Sequence, residues 1–98
     1  MKNLQIEYLP TESIKPYEQN PKIHKSKQVE QIAKSITQFN FNNPILIDEK
    51  NTIIGGHGRL LAAQQLGLTE VPVIKLIHLS EAQKRAYRIA DNKLTENG

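Results

Sequence analysis

The sequence contains no cysteine and no tryptophan, and aromatic residues make up only 5% of it. Without cysteine the protein has no disulfides, no thiolate metal sites and no cysteine-based catalysis, which suits a reducing compartment. No apolar run approaches the roughly 20 residues that cross a bilayer, and the residues after Met1 lack the apolar stretch of a signal peptide. We therefore expect a cytoplasmic protein without membrane contact and with a modest, aliphatic core.

Length and charge further restrict the number of domains and the kind of partner that we expect. The 98 residues suffice for one compact domain, so a single domain over residues 1–98 is predicted. Charged residues make up 23%, an ordinary share that argues against global disorder. The net charge of +3 suits a polyanionic partner but also fits a solvated basic surface. No clear closing element follows Asn92, so the chain either frays there or belongs to a longer protein.

The first half of the chain alternates between strand-like and helix-like periods. Leu4, Ile6 and Tyr8 alternate with polar residues, which predicts a half-buried strand. A helix is predicted from residue 27 until the asparagines at 40 and 42. Its apolar positions are Val29, Ile32, Ala33, Ile36 and Phe39. The apolar segments 44–48 and 52–54 flank a turn and predict a hairpin.

The second half continues the alternation. A short helix closed by Gly67 is predicted to bury Leu60 and Leu61, and a strand follows over 71–79, where Pro72 favours a sheet edge or the first strand position. Ser80 and Gln83 form a capping box for the last helix. The predicted buried face of that helix comprises Ala82, Ala86, Ile89, Ala90 and Leu94. The order β-α-β-β-α-β-α predicts an α+β (α/β) domain, with a small mixed sheet of about four strands packed against three helices.

The strongest local feature is Gly55-Gly56-His57-Gly58-Arg59, which joins an apolar strand directly to a helix. Glycine permits positive φ and close approach of a ligand, and the first turn of a helix presents unpaired N–H groups and partial positive charge. Together these features predict a phosphate site with Arg59 as a bidentate clamp. The alternative is a tight turn that serves only packing. The spacing matches neither a Walker loop nor Gly-x-Gly-x-x-Gly.

His57 is the only candidate for a catalytic residue, and its role stays open at this point. It is able to donate to a phosphate, to act as an acid or base, or merely to fill the turn. His24 and His78 show no metal-ligand spacing relative to it, so no protein-bound metal site is predicted. Mg²⁺ carried mainly by a nucleotide is compatible with the sequence.

Two basic segments are candidates for contact with nucleic acid. One is the loop that leads into the first helix, and the other is the final helix. Phosphate or DNA backbone contact is the functional interpretation of each, and a solvated surface is the alternative. The residues are Lys22, Lys25, Lys27, Lys84, Arg85 and Arg88.

The ordered set of motifs resembles the ParB/sulfiredoxin superfamily, and within it the ParB-like N-terminal domain, also called the ParB-like nuclease domain. The match covers nearly the whole chain. Its motifs are residues 14–17 with 20–22, residues 33–36, residues 44–47, residues 56–59, residues 66–68 and residues 71–73. The form with Gly-His-Gly-Arg looks most like the domains of phages and mobile elements, which are often fused to a DNA methyltransferase.

The resemblance implies a nucleotide site. In ParB proteins this domain binds CTP, and sulfiredoxin uses the same region for ATP. Carried over to this sequence, the three glycines of the turn and Arg59 would hold phosphates, with Lys22 assisting in place of the usual arginine. Asp91 and Asn92 would match a downstream Glu-Asn motif. A nucleotide-dependent dimer and a DNA-acting partner are further implications of the resemblance.

Departures from the family pattern keep several functions open. His57 stands where sulfiredoxin carries its cysteine, so sulfinic acid repair is excluded. His57 and Gly58 replace the Glu-Arg pair of ParB, which leaves hydrolysis of the nucleotide in doubt. The helix-turn-helix domain of chromosomal ParB is absent from the sequence, so any DNA contact would be non-specific. The alternatives to a nucleotide-binding module are an enzyme, either a nuclease or an NTPase, and a protein-interaction domain whose nucleotide site has decayed.

Overall fold

A computed structural model describes residues 4–17 and 26–97. Four strands, three α-helices and one short 3-10 turn form an α+β domain, which confirms the predicted fold class. The elements in chain order are β1 (Glu7–Pro10), the 3-10 turn (Thr11–Ser13), α1 (Ser26–Phe39), β2 (Ile45–Ile47), β3 (Ile53–Gly55), α2 (His57–Leu66), β4 (Glu70–Lys75) and α3 (Glu81–Asn97).

The four strands form one mixed sheet in the order β1-β4-β2-β3. β1 and β3 run antiparallel to their neighbours, whereas β2 and β4 are parallel, with Ile45 opposite Val73. A parallel pair needs a crossover connection, and α2 lies on that connection. The glycine turn between β3 and α2 is therefore held between an edge strand of the sheet and the crossover helix.

The core lies between the sheet and α2. Ile45, Ile47, Ile53, Val71 and Val73 are fully buried, and Leu60 and Ala63 of α2 belong to the same cluster. The outer helix α1 packs on α2 in a second cluster that contains Val29, Ala33 and Ala62. Two alanines at that contact permit close approach of the two helices. The result is three layers: sheet, α2 and α1.

Both helix ends that the sequence marks are confirmed. Asn40 follows α1 with φ of 73°, and Gly67 follows α2 with φ of 70°, so each adopts the left-handed conformation that ends a helix. The capping box of α3 also forms, because Gln83 Oε1 accepts from the Ser80 amide at 2.8 Å and Ser80 Oγ accepts from the Gln83 amide at 3.1 Å. No helix among the described residues is long and apolar enough to cross a membrane.

The predicted first strand is shifted. Leu4, Ile6 and Tyr8 are exposed, and Leu9 instead packs against the core. Because side chains alternate between the faces of a strand, a shift of one residue exchanges the buried and exposed sets. The expected edge position of Pro72 is also wrong. β4 is an interior strand that lies between β1 and β2. Its pairing with β2 begins only at Val73, so Pro72 precedes the residues that pair with β2.

The buried faces of all three helices also differ from prediction. Leu61 and Phe39 are exposed, whereas Leu60 is buried. On α3 the predicted apolar face is turned outward, with Ala82, Ala86, Ile89 and Ala90 exposed; Leu94 lies outside the described side chains. Within residues 81–91, the part of α3 whose side chains are described, the buried side chains are Lys84 and Arg88. The packing face of α3 is thus its charged face.

Candidate functional site at the glycine turn

The strand-to-helix turn has the geometry that its sequence predicts. β3 ends at Gly55, and Gly56 precedes the helix in the left-handed conformation with φ of 103°. A Cβ at Gly56 would lie 3.0 Å from Arg59 Nη2, so both the backbone conformation and the space favour glycine. Leu60 N–H donates to the Gly56 carbonyl at 3.0 Å and so starts the helical hydrogen-bond ladder. The amides before Leu60 are first-turn groups, which lack intrahelical acceptors.

Arg59 is tied into the turn. Its Nη2 donates to the Pro44 carbonyl at 3.1 Å, which anchors the loop before β2 to the start of α2. Burial lowers the pKa of the Arg59 guanidinium below its usual range, while the nearby Asp91 and Tyr87 raise the pKa. A guanidinium nevertheless stays charged at neutral pH. Arg59 Nε is buried and has no hydrogen-bond partner among the described residues. One donor of this cation is therefore unsatisfied.

A polar cavity of about 270 Å³ lies beside Arg59. It is bounded by α1 and by the loop between α1 and β2, and Arg59 reaches it from α2. Its lining residues are Ile32, Ser35, Ile36, Asn40, Phe41, Asn42, Asn43 and Arg59. Asparagine amides both donate and accept hydrogen bonds, and Phe41 adds an aromatic surface. Such a lining, next to a cation and a helix N-terminus, is chemically suited to a small polar, anionic ligand.

His57 contacts the chain segment that precedes α1. Its Nε2 accepts a hydrogen bond from the Tyr17 amide at 3.1 Å. Nε2 accepts only while it carries no proton, so the contact depends on the neutral form of the ring on that side. The observed role of His57 is to join the backbone at Tyr17 to the start of α2. A catalytic role for His57 stays a prediction.

Arg88 of α3 binds to the edge strand and to the same segment. Its Nε and Nη2 donate to the Ile53 carbonyl at 3.0 and 2.9 Å. Its Cζ lies 3.7 Å from the centroid of the Tyr17 ring, in a cation–π contact. Arg88 thus connects α3, β3 and the segment before α1. The role was missed from the sequence, where Arg88 was grouped with exposed cations.

Lys84, one turn before Arg88, lies at the centre of three carboxylates. Its Nζ is 3.4 Å from Asp48, 3.1 Å from Glu49 and 3.1 Å from Glu81. Desolvation lowers the pKa of Lys84, but the hydrogen bonds that Lys84 donates to Glu49 and Glu81 and the charges of Asp48 and Glu49 outweigh it, so the net direction is upward. Only 3% of the Lys84 side chain is exposed. Lys84 therefore offsets part of the charge of three carboxylates, of which Asp48 is buried and Glu49 and Glu81 are exposed.

Asp48 is held by the hairpin turn as well as by Lys84. Its Oδ1 accepts from the amides of Lys50 at 2.8 Å and Thr52 at 2.9 Å. Desolvation raises the pKa of Asp48, but the two amide hydrogen bonds and Lys84 outweigh it and hold the pKa below its usual range. Asp48 therefore couples the β2–β3 turn to α3.

The helix α3 also covers part of the glycine turn. A Cβ at Gly55 would lie 3.4 Å from Asp91 Oδ2 and 3.4 Å from Tyr87 Cε1. Gly55 itself is buried. One feature of the sequence indicates that α3 packs through charged residues. Lys84, Arg88 and Asp91 are spaced by about one helical turn and so lie on one face of the helix. That face is turned toward the body of the domain.

The structure brings together part of the predicted site. Gly55, Gly56, His57, Gly58 and Arg59 form one continuous turn. The predicted phosphate ligand Lys22 and the predicted DNA contact Lys25 lie outside the described residues. Lys27 and Arg85 are exposed and stay candidates for contact with DNA.

The prediction that Lys84 and Arg88 contact DNA is inconsistent with their positions. Lys84 is 2% exposed and Arg88 is 7% exposed. Their charged groups already bind carboxylates, a carbonyl and a ring within the domain. A phosphate backbone on the surface cannot reach these groups while α3 stays docked.

Comparison with known proteins gives one family. A profile of the ParB N-terminal domain matches residues 1–93. The ParB-like nuclease domain-containing protein YnaK of Escherichia coli is 48% identical over 82 residues, which cover 84% of this chain and 94% of YnaK.

Solved structures of low identity share the fold. The Caulobacter crescentus chromosome-partitioning protein ParB, C-terminally truncated and complexed with CTP-γ-S, has a TM-score of 0.79 at 23% identity; the similarity covers 90% of this chain and 52% of that one. This chain therefore spans about half of that ParB chain. Sulfiredoxin from Arabidopsis thaliana has a TM-score of 0.66 at 23% identity, with 87% and 97% covered. The ParB/sulfiredoxin-like fold is confirmed, and the chain belongs to the family of ParB N-terminal domains.

Proposed function

We propose that this domain binds a ribonucleoside triphosphate, CTP or ATP, with the phosphates at the turn Gly55-Gly56-His57-Gly58-Arg59. The observation that carries the proposal is the turn itself, in which a left-handed Gly56 leads into α2 beside a partly buried guanidinium. First-turn amides and the helix dipole attract phosphate. The ParB structure with CTP-γ-S shows that a protein of this fold binds such a ligand.

The residues present fit a nucleotide. Arg59 Nε is a buried donor without a partner among the described residues, and any Cβ at Gly56 would fill the space beside it. The amides of Gly58 and Arg59 belong to the first turn of α2 and so lack intrahelical acceptors. In this proposal they donate to phosphate oxygens, and Lys22, which precedes α1 in the sequence, assists them. Mg²⁺ accompanies the nucleotide and is bound through its phosphates.

In this proposal the base of the nucleotide lies in the cavity beside Arg59. Asn40, Phe41, Asn42 and Asn43 line it; the Asn42 amide also donates to the Phe39 carbonyl at 2.6 Å, and Phe41 also packs against the core. Amides are able to recognise the polar edge of a base, and an aromatic ring is able to stack on its face. Titration with each nucleotide distinguishes CTP from ATP.

Binding without catalysis is the simpler proposal. Asp48, Glu49 and Glu81 are the carboxylates that come together, and Lys84 lies between them at hydrogen-bond distance. A nuclease normally needs carboxylates that are open to a metal ion. Here the ammonium of Lys84 occupies the point between these three carboxylates, where a metal ion would have to bind. Contact with DNA, in this proposal, is non-specific and involves exposed cations such as Lys27 and Arg85.

Calorimetric titration with CTP and with ATP, each with and without Mg²⁺, tests the proposal. Arg59→Ala should weaken binding roughly tenfold or more, because a hydrogen bond to a charged group contributes about 1.5–3 kcal/mol. The control is Lys34→Ala, which removes an equal charge from an exposed position of α1. Thermal denaturation must show that both variants fold, since Arg59 also binds the Pro44 carbonyl. Equal affinities of folded Arg59→Ala and Lys34→Ala would contradict the phosphate assignment.

A further inference from the structure

The start of the chain carries an apolar surface that the domain leaves uncovered. Leu4, Ile6 and Tyr8 are each more than half exposed. They alternate with polar residues, so in an extended chain their side chains lie on one face of the sheet. The other face of β1 carries Leu9, which packs against the core. The strand pattern at residues 4–8 therefore marks a surface that the single domain does not bury.

The free edge of β1 presents backbone groups that point away from the domain. Among the described residues, β1 is an edge strand that pairs with β4. Tyr8 lies opposite Pro72, which has no N–H, so these two residues do not exchange a pair of hydrogen bonds. The Thr11 amide donates to the Thr69 carbonyl at 3.0 Å, which continues the same alternation. The odd-numbered residues thus bond toward β4, and the amides and carbonyls of Ile6 and Tyr8 face outward. Such an edge is a template for another strand.

We propose that this edge pairs antiparallel with the same edge of a second copy of the chain, across a two-fold axis at Ile6. In this register Ile6 lies opposite Ile6 of the second copy, and Tyr8 lies opposite Leu4. These residues occupy hydrogen-bonding positions, and their apolar side chains meet on one face of the joined sheet. Glu7 lies opposite Gln5, so no like charges meet. The pairing goes beyond the nucleotide function and requires no nucleotide.

The neighbouring registers are less favourable. An axis at Glu7 places two carboxylates directly opposite each other, which is destabilising. An axis at Tyr8 places Ile6 opposite Pro10, which has no N–H to donate. The edge is therefore complementary to itself in the register centred on Ile6. A two-fold contact requires such self-complementarity, because both copies use the same surface. This property favours a second copy over a strand of another protein.

Sedimentation equilibrium without nucleotide, over a range of protein concentrations, tests the dimer. Ile6→Lys should raise the Kd of the dimer at least about tenfold, because two apolar side chains leave the contact and two like charges oppose each other. The control is Ile89→Lys on α3, the same change at a position that is 61% exposed, compared with 57% for Ile6. Circular dichroism should show that both variants fold, since neither isoleucine belongs to a core cluster.

Introduced thiols test the register, because the chain has no cysteine of its own. Gln5 and Glu7 of the second copy would form a non-hydrogen-bonded pair with Cα atoms about 4.5 Å apart, a distance that a disulfide spans. An equimolar mixture of Gln5→Cys and Glu7→Cys should therefore give mainly the mixed disulfide on mild oxidation. A disulfide that forms as readily in Glu7→Cys alone would overturn the axis at Ile6.

The sedimentation results decide the rest of the proposal. A chain that stays monomeric up to about 1 mM, where even a weak specific contact is populated, would overturn the dimer and leave the edge to a strand of another protein. A dimer that Ile6→Lys leaves intact, or that Ile89→Lys weakens equally, would overturn the contact through β1. Each of these results is obtained without nucleotide, so failure of the dimer is distinguishable from failure of the nucleotide site.

Discussion

Replacing Leu60 by alanine tests the core that positions the glycine turn. Leu60 is the fourth residue of α2 and is 2% exposed, in the cluster between α2 and the sheet. Its neighbour Leu61 faces outward and is 41% exposed. The pair therefore offers the same chemical change, on the same helix, at a buried and at an exposed position.

The two substitutions should lower the unfolding free energy by clearly different amounts. A buried Leu→Ala change costs about 2–5 kcal/mol of unfolding free energy, since it removes apolar contacts and leaves a cavity. A domain of this size is stable by roughly 5–15 kcal/mol, so Leu60→Ala removes a large share. Even the lower value should reduce Tm by about 8–16 °C. Leu61→Ala should cost less than about 1 kcal/mol, as is usual for surface positions.

Urea denaturation followed by circular dichroism measures both variants. The urea midpoints of the two variants should differ. The slope of unfolding free energy against urea concentration should stay the same, because the same surface is exposed on unfolding. A loss for Leu61→Ala equal to or larger than that for Leu60→Ala would refute the orientation of α2. It would also refute the placement of the turn that α2 begins.

The remaining predictions concern the contacts around the site. The lowered pKa of Asp48 means that its carboxylate stabilises the fold above the ordinary pKa of 3.8, and this contribution is lost as pH falls through the folded pKa below that value. Asp48→Asn should therefore have a lower unfolding free energy than the wild type at neutral pH, and the difference should shrink in acid. Urea denaturation at several pH values measures it, and a difference independent of pH would contradict the role given to the Asp48 carboxylate. His57→Leu removes the acceptor of the Tyr17 amide, so that amide should exchange faster by NMR, and unchanged exchange would contradict the contact.

Local signals made the central part of the fold predictable. The glycine turn, the capping box at Ser80 and the helix stop at Asn40 each depend on residues that are close in sequence. Such features follow from backbone preferences and short-range hydrogen bonds, which a sequence displays directly. The position and shape of the candidate phosphate site were predictable for the same reason.

The orientation of α3 was not predictable by the same reasoning. A hydrophobic stripe normally marks the packing face of a helix, and on α3 that rule selects the wrong side. Apart from Glu81, which is three positions from Lys84, the partners of Lys84 and Arg88 named above come from the β2–β3 hairpin and from Tyr17, more than thirty positions away in sequence. Only the assembled fold shows that a carboxylate cluster and a free carbonyl are placed to receive two cations.

The shift of β1 and the choice between Leu60 and Leu61 have a related cause. Leu9 and Tyr8 are both suited to a strand, and adjacent leucines are equally apolar, so the pattern alone leaves the phase of each element undecided. The pairing of β1 with β4, with Leu9 opposite Val71, fixes which side chains face the core. Long-range pairing therefore decides what local periodicity leaves open.

The measurement that tests the central claim most directly is a two-dimensional amide NMR titration of the domain with CTP and with ATP. Binding at the proposed site should shift the amides of Gly56, Gly58 and Arg59 most strongly and saturably. Saturable shifts confined to β1 or to the outer face of α1, with the turn unaffected, would contradict the account.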